Sequence, residues 1–297
     1  MPSKATICFL VFVGAIFLLN CPRLKAIPAQ AANQGANLLE HDPASNVDHA
    51  FHAALQASVQ ALQDNRFEAA ETSAKSAVAL AEKMRPQDSR LPEAIGQLGA
   101  VYASNLDYKQ AEESFQEQLK AAERLYGSEH PLVSSALENL AMTALAQRDF
   151  ATSEAYFSRA LQLNELAHGE NSTAVSENLR CLAHIYSEQK DYAKSEATLL
   201  RVVKIYEAIY GPGDRRVAIP LKSLCSTYDN WGEPEKSAPC HARLVSLAER
   251  QFGPSSYYLV RDLSAEAQAL RQLGRATEAA AVEQRVQTIQ SALSGLN

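Results

Sequence analysis

Three residue registers recur at one interval along the chain, and that interval constrains the architecture more tightly than composition does. An aromatic or long residue followed by glycine appears at Tyr126-Gly127, His168-Gly169, Tyr210-Gly211 and Phe252-Gly253, in steps of 42 residues. A second register, Phe67, Tyr108, Phe150, Tyr192, Pro234 and Ala276, advances once by 41 and then four times by 42. A third, Leu98-Gly99, Leu140-Ala141, Leu182-Ala183 and Leu224-Cys225, keeps 42 throughout. Fixed periods of this size mark repeat architectures, in which each unit is one supersecondary element that cannot bury its apolar face alone.

Each unit reads as helix–turn–helix. In the third, Pro131 opens the first helix, where its missing N–H costs nothing. Val133, Leu137, Leu140, Ala141 and Ala144 then form a stripe of helical period. Asp149 precedes the second helix as a cap, and Asp107 and Asp191 hold the same place in their units. Phe150, Phe157, Ala160, Leu161 and Leu163 continue the apolar pattern until Gly169 ends it. The small residues Gly99, Ala141, Ala183, Cys225 and Ala267 share one register, as close helix contact requires. The aromatics at Tyr102, Tyr186, Tyr228, Phe115 and Phe157 have the spacing of core residues. In the last helix, Glu283 and Gln287 replace the apolar residues of earlier units and leave one stripe, Val282, Val286, Ile289 and Leu293. A polar outer face is what the end of a repeat array needs.

The segment YGSEHPLVSSALENLAMTALAQRDFATSEAYFSRALQLNELAHG (Tyr126–Gly169) resembles the tetratricopeptide repeat, in the 42-residue version found in kinesin light chains. The resemblance extends over residues 47–293 and weakens in the outermost units. It implies an all-α fold, a right-handed superhelical solenoid of about six antiparallel helix pairs, whose first helices line a concave groove for a peptide or helix. Carried onto this register, the groove face comprises Glu93, Gln97, Glu138, Asn139, Glu177, Arg180, His184, Lys222, Asn230, Arg261, Gln268 and Arg271, with Ser226 between Lys222 and Asn230. Asn139 matches the Asn that precedes Leu-Ala in the kinesin light chain pattern, but Cys181 and Ser223 replace it in the next units. The acids Glu93, Glu138 and Glu177 lie early and the cations Arg180, Lys222, Arg261 and Arg271 lie late. A C-terminal half that holds an acidic segment or a terminal carboxylate is one reading of that order; a solvated charged face is the other.

The expected function is that of a non-catalytic protein–protein interaction scaffold or adaptor. The alternative is a structural or self-assembling solenoid module of the cell envelope. No phosphate-binding loop, zinc-type cysteine pairs, HExxH or GxSxG occurs, so no catalytic residue, cofactor, metal or small-molecule substrate is expected. His49 and His52 lack a third ligand nearby. The net charge of −6 becomes −9 if residues 1–31, which contain Lys4, Arg23 and Lys25 and no acid, are removed. Nucleic-acid binding needs clustered cations, so it is not expected. Asn171-Ser172-Thr173 has the form of a glycosylation sequon, and equally that of a helix start.

Residues 1–31 read as a signal peptide. Lys4 precedes the apolar run Ala5–Leu19, which at 15 residues is short for a membrane span, and Ala29-Gln30-Ala31 offers a cleavage site. An uncleaved N-terminal anchor, the one membrane link expected, and lipidation at Cys21 are the competing readings. Residues 32–46 are read as a flexible linker, 47–293 as the repeat array and 294–297 as a tail, in an exported chain, periplasmic or secreted.

The fifth unit departs from the pattern. Pro220 and Pro239 fall inside its helices, where an interior proline costs about 3 kcal/mol, so kinks, a late helix start or a loosened hairpin are expected. Cys225 and Cys240 flank its Trp231-Gly232 turn almost symmetrically. Antiparallel packing would bring them level, either as a disulfide or as two small buried residues, and Cys181 is left over in both cases.

Overall fold

The structure, a computed structural model, describes residues 43–84 and 89–294. The expected signal peptide and most of the expected linker lie outside the described residues. The described residues form twelve helices and no strand: α1 (Pro43–Gln63), α2 (Phe67–Glu82), α3 (Arg90–Ser104), α4 (Tyr108–Tyr126), α5 (Pro131–Ala146), α6 (Phe150–His168), α7 (Thr173–Glu188), α8 (Tyr192–Tyr210), α9 (Ala218–Trp231), α10 (Pro234–Phe252), α11 (Val260–Gln272) and α12 (Ala276–Ser294). The array starts at Pro43, four residues ahead of the expected start, because α1 extends through the end of the expected linker. Two compact units divide inside α6, one up to Leu163 and one from Asn164.

In each unit a helix packs on its neighbour in sequence and on the next but one, α1 on α3, α3 on α5 and α7 on α9. That order is what a stack of helical hairpins requires. The first unit buries Phe51, Ala77, Ala81 and Ala94 in one layer and Tyr102, Ala111, Phe115 and Leu140 in another. Ala122, Val133, Leu137, Ala160 and Leu163 form a further layer. Gly99 has a steric cause: a Cβ there would stand 2.5 Å from the Phe115 ring. In the second unit, Val245, Leu259, Leu263 and Ile289 close the last layer, with Val282 and Val286 packed against them.

The local signals sit where the chain needs them. Pro131 is in the first turn of α5. Asp107, Asp149 and Asp191 accept from backbone N–H groups three residues on, satisfying donors that the first turn leaves unpaired. Ser172 caps α7 in the same way, so the sequon is also a helix start. The turns inside the pairs each place one residue at positive φ: Asn65, Leu106, Arg148, Lys190, Gly232 and Gly274.

The fifth pair tolerates its prolines by two routes. Arg215–Val217 forms a 3-10 turn, and α9 begins only at Ala218, so Pro220 falls in its first turn and lacks no hydrogen bond. Pro239 stays inside α10, on an exposed face of the helix. Cys225 and Cys240 are joined as a disulfide between α9 and α10, with Cα atoms 5.5 Å apart, and Cys181 on α7 takes no part in it.

A repeated ion pair links successive second helices. Glu123 pairs with Arg159 in the first unit at 2.6 Å. In the second unit Glu165 pairs with Arg201 at 2.6 Å, Glu207 with Arg243, and Glu249 with Arg285. Both partners advance by 42 residues. Arg159 and Arg285 also donate to the carbonyls of Ser128 and Pro254, which ties the loops between pairs to the next second helix.

Candidate partner-binding surface

The register places the expected surface on the first helices, α3 and α5 in the first unit and α7, α9 and α11 in the second. Spacings of three and four residues put side chains on one helical face. On α9, Lys222, Ser226 and Asn230 follow this spacing and are all exposed. On α11, Arg261, Ser264, Gln268 and Arg271 do the same. On α7, Glu177, Arg180, Cys181 and His184 share a face but are half-buried.

In the first unit, Glu93 is exposed, whereas Gln97 donates to Ser58 at 3.2 Å. Asn139 donates to the side-chain oxygen Oε1 of Gln118 at 3.1 Å, and Glu138 beside it is half-buried. These amides serve mainly to pair neighbouring helices. The Asn at the Leu-Ala register is thus satisfied within the fold.

The late cations are not equivalent. Arg180 has a side chain only 16% exposed and donates to Glu177 through two nitrogens, at 2.7 and 3.1 Å. Tyr206 donates to the other oxygen of Glu177 at 3.1 Å. Burial first, then the Glu177 charge, pushes the Tyr206 phenol up to about 12. Arg271 makes a two-pronged contact with Glu283 of α12 at 2.5 and 2.6 Å. Both arginines are therefore matched by acids of this chain, and the expected run of four open cations shrinks. Lys222 stays exposed, and the Arg261 side chain is 75% exposed, 3.6 Å from the edge of Asp262.

Among the described residues no group of three or more His, Cys, Asp and Glu side chains is arranged to hold a metal ion. No helix among them is long and apolar enough to cross a membrane. Phe115 and Phe157 are core, and the hydroxyls of Tyr102 and Tyr228 donate to Glu71 and Glu196 at 3.2 and 2.9 Å. His52 lies 3.4 Å from Asp48 on an exposed helix face.

Stacked antiparallel helix pairs with an exposed polar face on their first helices define an α-helical repeat protein of the kind that mediates protein–protein interaction and is generally non-catalytic. A tetratricopeptide repeat family model matches residues 91–165 and, one repeat later, 134–208. Residues 91–208 therefore carry tetratricopeptide repeats. No curated protein matches its sequence. Its fold is similar to that of BtubC (BKLC) from P. vanneervenii, at 18% identity and a TM-score of 0.59, over 84% of this chain and 92% of that one. It is similar also to a Podosopora anserina protein with kinesin light chain nearly identical TPR-like repeats, at 16% identity and a TM-score of 0.59, over 70% and 98%. A third likeness is to Pseudomonas aeruginosa pilF, at 15% identity and a TM-score of 0.54, over 83% and 99%. At these identities the likeness is one of fold.

Proposed function

We propose that this protein is a non-catalytic scaffold that holds an acidic segment of another protein against the exposed face of α9 and α11. The observation that carries this reading is the pair of solvent-facing stripes, Lys222-Ser226-Asn230 and Arg261-Gln268, whose two cations stay exposed, Arg261 beside Asp262, while Arg180 and Arg271 are engaged by Glu177 and Glu283. Exposed Lys and Arg beside hydroxyl and amide donors suit a carboxylate, through charge-assisted hydrogen bonds. The polar outer face of α12, with Gln284, Gln287 and Gln290 exposed, weighs against the self-assembling alternative, which would need an apolar end.

A photo-crosslinking residue at Ser226 or Gln268, in the native host, should capture one or a few proteins. Lys222→Glu with Arg261→Glu should reduce that capture at least about tenfold, the scale of one or two lost charge-assisted bonds. Charge reversal at the exposed Lys204 of α8 serves as the control. Equal capture by the double variant would remove the acidic-segment reading. An exported location is part of the same proposal and is supported by the disulfide, which persists in oxidising compartments. The native protein's mass should then begin at Ala32.

A further inference from the structure

Two core registers of the repeat carry a charged residue late in the array. The second-helix register filled by Phe115, Phe157 and Leu199 holds His241 in α10. The first-helix register filled by Ala94, Ala136, Asn178 and Pro220 holds Asp262 in α11. Both replacements stay inside: the side chains of His241 and Asp262 are 6% and 8% exposed. A partner has also been redirected. Ser153 and Ser195 donate to the carbonyls of Ala141 and Ala183, but Ser237, at the same register, donates to the carboxylate of Asp229.

The imidazole lies between two carboxylates. Its Nε2 is 3.1 Å from Asp229 Oδ2 on α9, and its Nδ1 is 3.4 Å from Asp262 Oδ1 on α11. The second approach is not aligned as a hydrogen bond, and neither atom has a hydrogen-bond partner elsewhere, although the Arg261 guanidinium stands 3.6 Å from the same Asp262 oxygen. A neutral imidazole donates from one nitrogen only. With an acceptor oxygen at each nitrogen, the neutral ring leaves a lone pair facing a carboxylate; the imidazolium can donate to both. A buried ionic pair at a site that accepts Phe or Leu is seldom the most stable solution. Its use here asks for a purpose other than cohesion.

We propose that His241 is the pin of a pH-dependent clasp, which as imidazolium bridges Asp229 on α9 and Asp262 on α11 and on losing its proton releases α11 and α12 from α10. The groups facing it are Asp229 from α9, and Asp262 and Glu266 from α11; Lys222 on α9 and Arg261 on α11 act on Asp262, and Glu249 on α10 and Arg285 on α12 act on Glu266. Burial opposes the charge on His241, but the Asp262 and Asp229 carboxylates beside it outweigh burial and raise the imidazole above its ordinary value. Burial likewise opposes the charge on Asp262, yet the His241 contact and the Arg261 charge hold its carboxyl below the ordinary value. The clasp's contribution is therefore complete between the ordinary carboxylate and imidazole ranges, about pH 4 to 6.5. It is lost as pH rises through the raised His241 value, and again as pH falls through that of Asp262. The disulfide keeps α9 on α10 throughout, so the opening is confined to α11 and α12.

The test is amide hydrogen exchange on the full chain between pH 5 and 9, corrected for intrinsic rates, together with an NMR titration of the assigned His241 ring. Protection in α11 and α12 should fall with rising pH by up to about tenfold per unit, the limit for one linked proton, while α9 and α10 keep theirs. His241→Leu with Asp262→Ala restores the residue types found at these registers in earlier pairs, so the double variant should fold and show a flat profile. A His241 ring that titrates at or below about 6.5 would overturn the proposal. So would an unchanged pH profile in the double variant.

Discussion

Gly99 and His241 show how much one register position can carry. Gly99 shares its place with Ala141, Ala183, Cys225 and Ala267, all buried. Only at Gly99 does the facing Phe115 ring fill the space of a methyl group. Gly99→Ala should therefore destabilise the first unit by about 1–3 kcal/mol, the usual cost of overpacking, despite the better helix propensity of alanine. Thermal or urea unfolding measures it, and Ala141→Gly should fail to gain what Gly99→Ala loses. The sequence alone marks the small-residue register but not which member is tight, since that depends on the ring stacked opposite. His241 was legible in principle, as a polar residue at a core register. Its partners were not, because Asp229 and Asp262 lie 12 and 21 residues away and meet it only through packing of three helices.

Helix boundaries were the easier part. Caps, Pro131 and the left-handed turn residues are local chemistry, and they sit within a residue or two of where the pattern puts them. The Glu–Arg ladder was written in the sequence with the same period yet is harder to recognise. A separation of 36 residues is no helical spacing and appears only when second helices are laid side by side. The Glu165–Arg201 pair is 28% and 38% exposed, so solvent screens it. A double-mutant cycle with Glu165→Ala and Arg201→Ala should give a coupling of only about 0.2–1 kcal/mol, reduced further in 1 M salt. A coupling above about 2 kcal/mol would mean that the rung is far less wet than its exposure indicates. Such rungs align neighbouring second helices; the apolar layers beneath them supply the cohesion.

At the scale of the whole chain, the repeat register made the fold readable, and the division of charge along the first helices made a docking face expected. What the register could not show is which cations the chain keeps for itself. Arg180 lies within helical reach of Glu177, three residues before it on α7, but Glu283 meets Arg271 from the next helix, at a separation that no spacing rule anticipates. The last helix has a role in this bookkeeping beyond that ion pair. Its inner residues Ala279, Val282, Val286 and Ile289 complete the layers begun by Val245, Leu263, Ala269 and Leu270, and its outer side is polar. A chain cut before Ala276 would leave those layers open to water, and a solenoid with an open apolar end recruits another molecule to close it. Light scattering on the truncated protein should show apparent mass rising with concentration, while the intact protein holds one value. A single helix, α12, thereby faces two solvents at once, the apolar layer beneath it and the water outside it.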